Sequence, residues 1–393
     1  MADSKRVLVL NHFAAPRGQA GGTRHVELFS RLAGWEYLII ASDLNPQTGR
    51  RVSAEPGFAV VHVPAYTSNG VRRILNWVAY AARATILGLR QERVDVVYGS
   101  SPHLLAALAA WVIAFIKRVP FVMEVRDLWP QVLLDMGQLS ESSPVFRLLT
   151  RLEHFLYGRA RAIVVMAEGS RSVLVARGIP EAKIHYIPNG ADPEDFVASA
   201  SREALRERYG FGRFTAIYAG AHGPANGLDF LLDAADALAD RELDIVLVGG
   251  GVQKDSLMAR AAREGLDNVR FLDPVPKTEI PDLLAAADLG LHVLADVDLF
   301  RSAVSPNKVF DYMAAALPVL TNSPGSVSDL VTCIGCGVCC GPDEIGRAIA
   351  QLLDRAQDDG DEMGGLGRSW VSNFRSRTKM SSDLAAVLSG LVR

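Results

Sequence analysis

Hydrophobic positions along the chain fall into short β-branched runs separated by stretches of helical period. The first half reads "RVLVLNH", a helix from about Thr23, "YLIIAS", "FAVVHVP", a helix from about Val71, "VDVVYGS", a helix from Pro102, and "PFVMEVR". A helix near residues 145–158 follows, then "RAIVVMAEGS" and "KIHYIPNGAD". The cadence restarts with "TAIYAGAHG", "LDIVLVGGG", "NVRFLDPV", "LGLHVL" and "LPVLTN", helices lying between them. Such alternation predicts parallel sheets with helices on both faces. The fold class is therefore α/β, with two doubly wound domains at residues 1–192 and 193–393 and a boundary near Asp192–Ser201. The last helix is a candidate to return to the N-terminal domain. Ligands of such sheets bind at the carboxyl ends of strands, which places the expected site in the cleft between domains.

A length of 393 residues agrees with two cores. Hydrophobic content of 49% with 22% charged residues argues against disorder. The longest apolar run, Leu104 to Ile116, is too short to span a bilayer, which takes about 20 residues. The start "MADSKRVLVLNH" lacks a signal-peptide pattern, so a cytoplasmic location is expected. Charge is unevenly spread: residues 1–190 carry 22 Lys and Arg against 14 Asp and Glu, whereas the remainder carries 19 against 30. The front half thus faces anions. No clusters of aromatics interleave with the basic residues, which disfavours nucleic acid. All four cysteines lie in "TCIGCGVCCGPD". Their spacing departs from iron–sulfur runs, so no metal is expected, and a buried or loop thiol cluster is.

The strand ends carry the candidate chemistry. "SPNKVFDYMAAALPVL" predicts a helix with Ser305 as N-cap and Pro306 at the first helical position. Its unbonded N–H groups form an anion site, and Lys308 and Asp311, at i and i+3, project from one turn. Gly21 and Gly22 precede the first helix and let a phosphate approach the backbone, but they do not form a dinucleotide fingerprint. Arg126 and Asp127 follow a strand directly and are expected in the cleft. Asn189 and Gly190 make a turn beside it. In the second half Gly220, His222 and Gly223 end one strand and Gly249 the next, leaving room for a ligand across the sheet edge.

"EVRDLWPQVLLDMGQL", "IPNGADPEDF" and "SPNKVFDYMAAALPVL", in that order, resemble retaining glycosyltransferases of family 4 with the GT-B fold, nearest the bacterial polysaccharide enzymes that include fucosamine transferases. The resemblance covers nearly the whole chain. It implies sugar transfer from a nucleoside diphosphate donor, uridine being the usual base, with retained anomeric configuration and no metal or other cofactor. It also implies that Asp311 holds the donor ribose in place of the second glutamate of an E-x7-E motif, whose first glutamate is here Ala303. The loop "GAHGPANG" lacks the arginine and lysine that many members use on the diphosphate, which leaves that task to Lys308, with Arg301. Gly21 and Gly22 match the diphosphate loop, and Arg126-Asp127 stands where many members have His-Asp beside the transferred sugar.

Catalysis would then rest on Lys308, the Gly21 and Gly22 amides and Arg126 acting on the departing phosphate. No general base is assigned, and Asp127 is the one carboxylate to test. For the acceptor, "GVRRILNWVAYAARATILGLRQERVD" predicts a helix on which Arg72, Asn76, Arg83 and Arg90 recur beside apolar residues. Arg72, Arg73, Trp77, Arg83 and His103 are the candidate acceptor and membrane residues. A basic amphipathic helix suits an anionic membrane surface, pointing to a lipid-diphosphate-linked sugar or glycan acceptor in surface polysaccharide synthesis. A core-packed helix with a solvated basic face is the alternative. The rival functions are a sugar-nucleotide epimerase or hydrolase on the same scaffold and a non-catalytic nucleotide-sugar-binding protein.

Overall fold

A computed structural model describes residues 4–45, 47–66, 70–101, 103–297, 300, 305–356 and 360–392. Arg301 and Ala303, assigned above to the donor site, and Pro102 lie outside the described residues.

The first sheet contains β1 (Lys5–Leu10), β2 (Trp35–Ser42), β3 (Phe58–Val61), β4 (Val96–Ser100), β5 (Phe121–Val125), β6 (Ala162–Val165) and β7 (Ile184–Tyr186). Their order is β3-β2-β1-β4-β5-β6-β7, every pairing parallel. The accompanying helices are α1 (Arg24–Phe29), α2 (Val71–Leu89), α3 (Leu104–Lys117), α4 (Gln131–Asp135), α5 (Pro144–Arg159) and α6 (Glu168–Ala176). The alanine-rich α3 owes its start to His103, whose Nδ1 accepts the Ala106 N–H at 3.3 Å.

After α7 (Arg202–Tyr209) the second sheet is built from β8 (Phe214–Ala219), β9 (Leu243–Val248), β10 (Val269–Leu272), β11 (Leu289–His292), β12 (Val319–Thr321) and β13 (Gly337–Cys339). Its order is β10-β9-β8-β11-β12-β13, again parallel. The helices are α8 (Asp229–Ala237), α9 (Lys254–Glu264), α10 (Ile280–Ala286), α11 (Asn307–Ala314), α12 (Ser326–Ile334), α13 (Ile345–Ala356), α14 (Gly360–Phe374) and α15 (Arg377–Leu391). β13 arises inside the cysteine run, where a buried or loop thiol cluster was expected, and Cys339 pairs with Thr321 of β12. All four thiols are free, Cys336 alone being buried. Among the described residues there is no group of three or more His, Cys, Asp or Glu able to hold a metal ion.

Each sheet is covered on both faces by apolar side chains. α15 belongs to the first of these cores: Met380, Leu384 and Leu388 pack with Val26, Phe29 and Ile39. The chain therefore crosses between domains twice. The crossings are tied side by side, Ala191 N–H donating to Arg375 O at 3.0 Å and Arg377 N–H to the Asp192 carboxylate at 2.6 Å. Among the described residues no helix is long and apolar enough to cross a membrane.

Candidate active site

In each sheet the strand order reverses once, between β1 and β4 and between β8 and β11. Loops leaving the two strands at such a point diverge and open a crevice at the carboxyl ends.

On the C-terminal side, α11 points its amino end at that crevice. It starts one residue later than expected: Pro306 is extended at φ −74° and ψ 128°, and Asn307 is the first helical residue. Ser305 does not cap. Its hydroxyl accepts the Asn189 N–H from the other domain at 3.2 Å, and its carbonyl accepts from the Asn189 amide. Lys308 leaves the first turn with Nζ 4.9 Å from the Tyr218 ring centroid and 3.4 Å from Asn226 Oδ1. Burial lowers its pKa to about 8, Asp311 opposing the shift. The lysine fits because Gly220 has no side chain: a Cβ there would stand 3.1 Å from Lys308 Nζ. Gly249, at φ +145°, lies so close that a Cβ would meet Gly220 O at 1.9 Å. Asp311 is buried and paired with Lys277. Burial raises its carboxyl, and Lys277 pulls it back.

Two residues here escaped the sequence reading. Lys277, in "PVPKTEIP", belongs to a 3-10 turn with no motif to mark it. Arg377 is contributed by α15 and is fully buried: it bonds Asn307 Oδ1 at 3.1 Å, meets Glu27 of α1 at 2.9 Å and leaves Nη1 without a partner. Burial works against the Glu27 charge, but Arg377 and Lys277 outweigh it and hold the pKa down to about 2. A C-terminal helix returning to the first domain was anticipated, yet nothing local in "FRSRTK" marks one arginine as a cleft residue.

The N-terminal wall stands on a buried polar network. Glu124, at the end of β5, accepts from Tyr98 Oη at 2.6 Å, Ser100 Oγ at 2.9 Å and His25 Nε2 at 3.0 Å, with Arg24 at 3.5 Å. Burial opposes its ionisation, but His25 and Arg24 prevail and keep it well below the usual range. Arg24 also donates to the carbonyls of Ile187 and Pro188, both at 2.8 Å, and to Asn189 Oδ1 at 3.0 Å, fixing the turn after β7. Above this platform Arg126 and Asp127 reach the cleft, the Arg126 N–H donating to Ser101 Oγ at 3.1 Å. Asp127 keeps solvent exposure at the cleft; desolvation by the surrounding walls raises its carboxyl, with Arg126 lowering it.

At the first switch point stand two buried histidines, His12 Nδ1 and His103 Nε2 being 2.7 Å apart. Burial drives both pKa values down, that of His12 to about 3, so the pair is neutral. His103 stacks on Trp77, which also meets Trp129 edge-on at 5.7 Å and the Arg73 guanidinium at 5.0 Å.

These groups line two adjoining cavities. A small one of about 110 Å³ takes Gly21, Thr23, Gly220, Gly249, Lys277, Lys308, Asp311 and Arg377 into its wall. A large one of about 1040 Å³ is walled by Arg73, Trp77, His103, Arg126, Asp127, Trp129, Asn189, Asn226 and His292. Asn307 and Lys308 line both. Gly22, His222, Gly223, Arg72 and Arg83 line neither. His222 is turned inward, buried and edge-on to Phe271. Arg83 donates to the His62 carbonyl.

The outward face of α2 also differs from expectation. Asn76, placed on the basic face, is buried and donates to Pro64 O at 2.7 Å. Arg72, Arg83 and Arg90 are exposed as expected, and the exposed surface also carries Val71, Ile74, Leu75, Val78 and Ile86, Val71 being 72% exposed. α2 packs on α3 and α3 on α5, which add exposed Phe115, Ile116, Val145 and Leu148.

A cation and a helix amino end between a small polar cavity and a large apolar one suit a ligand with an anionic middle and two unlike ends. Residues 22–190 match the model of the glycosyl transferase 4-like domain, and residues 213–355 that of the glycosyl transferases group 1. The chain belongs to the GT-B glycosyltransferases of family 4. This glycosyltransferase is 24% identical over 331 residues to WbjE of Pseudomonas aeruginosa, named as a probable glycosyltransferase, covering 82% of this chain and 81% of the relative. WcaI of Escherichia coli strain K12, named for colanic acid biosynthesis, is 24% identical over 277 residues and 67% of each chain. In fold the glycosyltransferase matches Anabaena HepE, solved in complex with UDP-glucose, at a TM-score of 0.72, 17% identity, and coverage of 98% of this chain and 100% of that one. Sucrose-phosphate synthase from Thermosynechococcus elongatus gives 0.74 at 14% identity, covering 98% and 99%.

Proposed function

We propose that this glycosyltransferase moves a sugar from UDP to a lipid-diphosphate-linked sugar or glycan with retention of configuration, in the synthesis of a bacterial surface polysaccharide. The observation that carries the reading is the position of Lys308 and the α11 amino end at the junction of the two cavities. The nucleoside occupies the small cavity with its ribose hydroxyls on Asp311, an acceptor-only group when ionised. The diphosphate rests on Lys308 and the α11 N–H groups, with Gly21 from the opposite domain. The sugar then lies in the large cavity near Arg126 and Asp127. HepE solved with UDP, and with UDP and glucose, supports uridine as the base. The names of WbjE and WcaI support the polysaccharide assignment.

As the glycosidic bond breaks, charge gathers on the leaving β-phosphate, so groups already aimed at it lower the barrier most. Lys308 and the helix end supply that field, and Arg126 adds to it from across the cleft. This positive set performs the task a divalent cation would otherwise have, which makes the reaction metal-independent. The acceptor hydroxyl enters on the same face as the departing phosphate, whose oxygen takes its proton.

The apolar lining of the large cavity fits a lipid-linked acceptor, and its rim is formed by the amino ends of α2 and α5 through Val71, Ile74 and Val145. α2 and α3 contain no Asp or Glu, and the one carboxylate of α5, Glu153, is buried against Arg177 at 3.0 Å. Exposed hydrophobics on these helices, flanked by Arg72, Arg90, Arg118, Arg147 and Arg151, suit an anionic bilayer at the cavity mouth. The protein is thus peripheral on the cytoplasmic face of the membrane. The test is a UDP-sugar panel assayed for UDP release with and without bacterial lipid extract, in EDTA. Acceptor-dependent release is expected. Release without acceptor would favour a hydrolase, and binding without release a non-catalytic protein.

A further inference from the structure

Among the polar groups of the large cavity that the mechanism leaves unused, one stands at the second switch point. His292 ends β11 at the second switch point, fully buried, and lines the large cavity beside Asn226 and Lys308. Its Nδ1 is 2.8 Å from Thr321 Oγ1, while its Nε2 has no hydrogen-bond partner. A buried ring nitrogen without a partner is costly, and on a residue that lines a cavity it calls for a ligand.

The neighbours decide what Nε2 offers. Thr321 Oγ1 accepts the Ser323 N–H at 3.1 Å, and the hydroxyl hydrogen has His292 Nδ1 as the acceptor within reach. Nδ1 therefore accepts, and the single proton of the neutral ring sits on Nε2. Burial first, then the charge of Lys308, brings the pKa to about 3, so the ring stays neutral at physiological pH. The adjacent polar groups are already engaged: Asn226 Oδ1 receives Lys308, and Asn226 Nδ2 donates to Ala221 O at 2.9 Å.

Position decides what it meets. Lys308 and Asn307 line both cavities, so a diphosphate there straddles the junction, with the nucleoside in the small cavity. His292 lines the large cavity and not the small one, which sets it beyond the diphosphate, on the side of the transferred sugar. We infer that His292 is a specificity-determining residue of the donor site, its Nε2–H donating to a hydroxyl oxygen of the transferred sugar. A neutral N–H suits a hydroxyl, and the phosphate already has its lysine. A buried donor rejects a sugar whose hydroxyl is missing or inverted, because Nε2–H is then left unpaired.

The inference rests on the UDP-sugar reading, and the experiment separates the two. Wild type, His292→Phe and His292→Gln are titrated with UDP, UDP-glucose, UDP-galactose, UDP-N-acetylglucosamine and UDP-N-acetylgalactosamine, and acceptor-dependent UDP release from each sugar nucleotide is measured with bacterial lipid extract. His292→Phe is expected to hold UDP within about twofold of wild type while kcat/KM for the preferred donor falls about ten- to a hundredfold. Its preference over the epimeric donor collapses, and His292→Gln, whose amide N–H reaches the same place, restores most of both. Wild-type discrimination in His292→Phe would overturn the inference, as would an equal loss of UDP affinity. Should the Phe variant not fold, His292→Asn, too short to reach, takes its place with the same expectations. A wild type that binds no uridine nucleotide overturns the proposed function itself.

Discussion

The two switch points of this molecule are built alike in backbone and oppositely in chemistry. At the second, glycines bring the backbone against a lysine at a helix end, and Asp311 and Lys277 stand close by. At the first, neutral histidines and tryptophans form an apolar wall over a buried carboxylate network. A ligand of fixed charge is held best by the former, in a cavity of about 110 Å³. The latter opens on about 1040 Å³ and suits a partner whose contribution is largely apolar. The contrast teaches that one parallel-sheet plan serves donor and acceptor alike, and that the loops at the strand ends carry the difference.

The largest effect should come from removing the shared cation. Lys308→Ala is expected to lower turnover by about 10²–10³-fold, the scale of losing one preorganised charge on a leaving group, with an unchanged melting temperature. Next, Ile74→Asp with Val78→Asp should cut binding to phosphatidylglycerol vesicles about tenfold or more while UDP affinity stays put, because both side chains are exposed. Retained vesicle binding would remove the membrane from the acceptor side of the comparison. A subtler probe is pH. Lys308 binds phosphate only when charged, and burial brings its pKa down to about 8. UDP affinity should therefore weaken about tenfold from pH 7 to pH 9. Lys308→Arg, charged throughout that range, should flatten the profile. The smallest change is expected for Asp311→Asn, about fivefold in donor KM, because the lost ribose contact is partly offset by freeing Lys277 from its partner.

Much of this arrangement was legible in the chain. The β-branched runs marked strands because parallel sheets bury both faces, and strand ends then indicated which loops meet in the cleft. Gly21, Gly220, Gly249, Lys308 and Asp311 share one cavity wall as that logic expects. What stayed hidden depends on distance in sequence. Arg377 and Lys277 reach the cavity only after the two domains and α15 have packed, and no local pattern encodes that. β13 is three residues long and too weakly apolar to stand out among cysteines. On α2 the heptad of polar residues suggested a basic outer face, and Arg72, Arg83 and Arg90 are indeed exposed, but Asn76 is buried with a bond to Pro64, and apolar side chains share the outer surface. His222 looked equivalent to other strand-end residues, yet its ring turns inward, whereas His292 lines the large cavity.

The most direct measurement of the central claim is a crystal structure of the protein with UDP. The account predicts both phosphates against the amino end of α11, within hydrogen-bond distance of Lys308 Nζ, and the ribose on Asp311. Phosphates bound elsewhere, with Lys308 still on Asn226 and no ligand at Asn307, would contradict it.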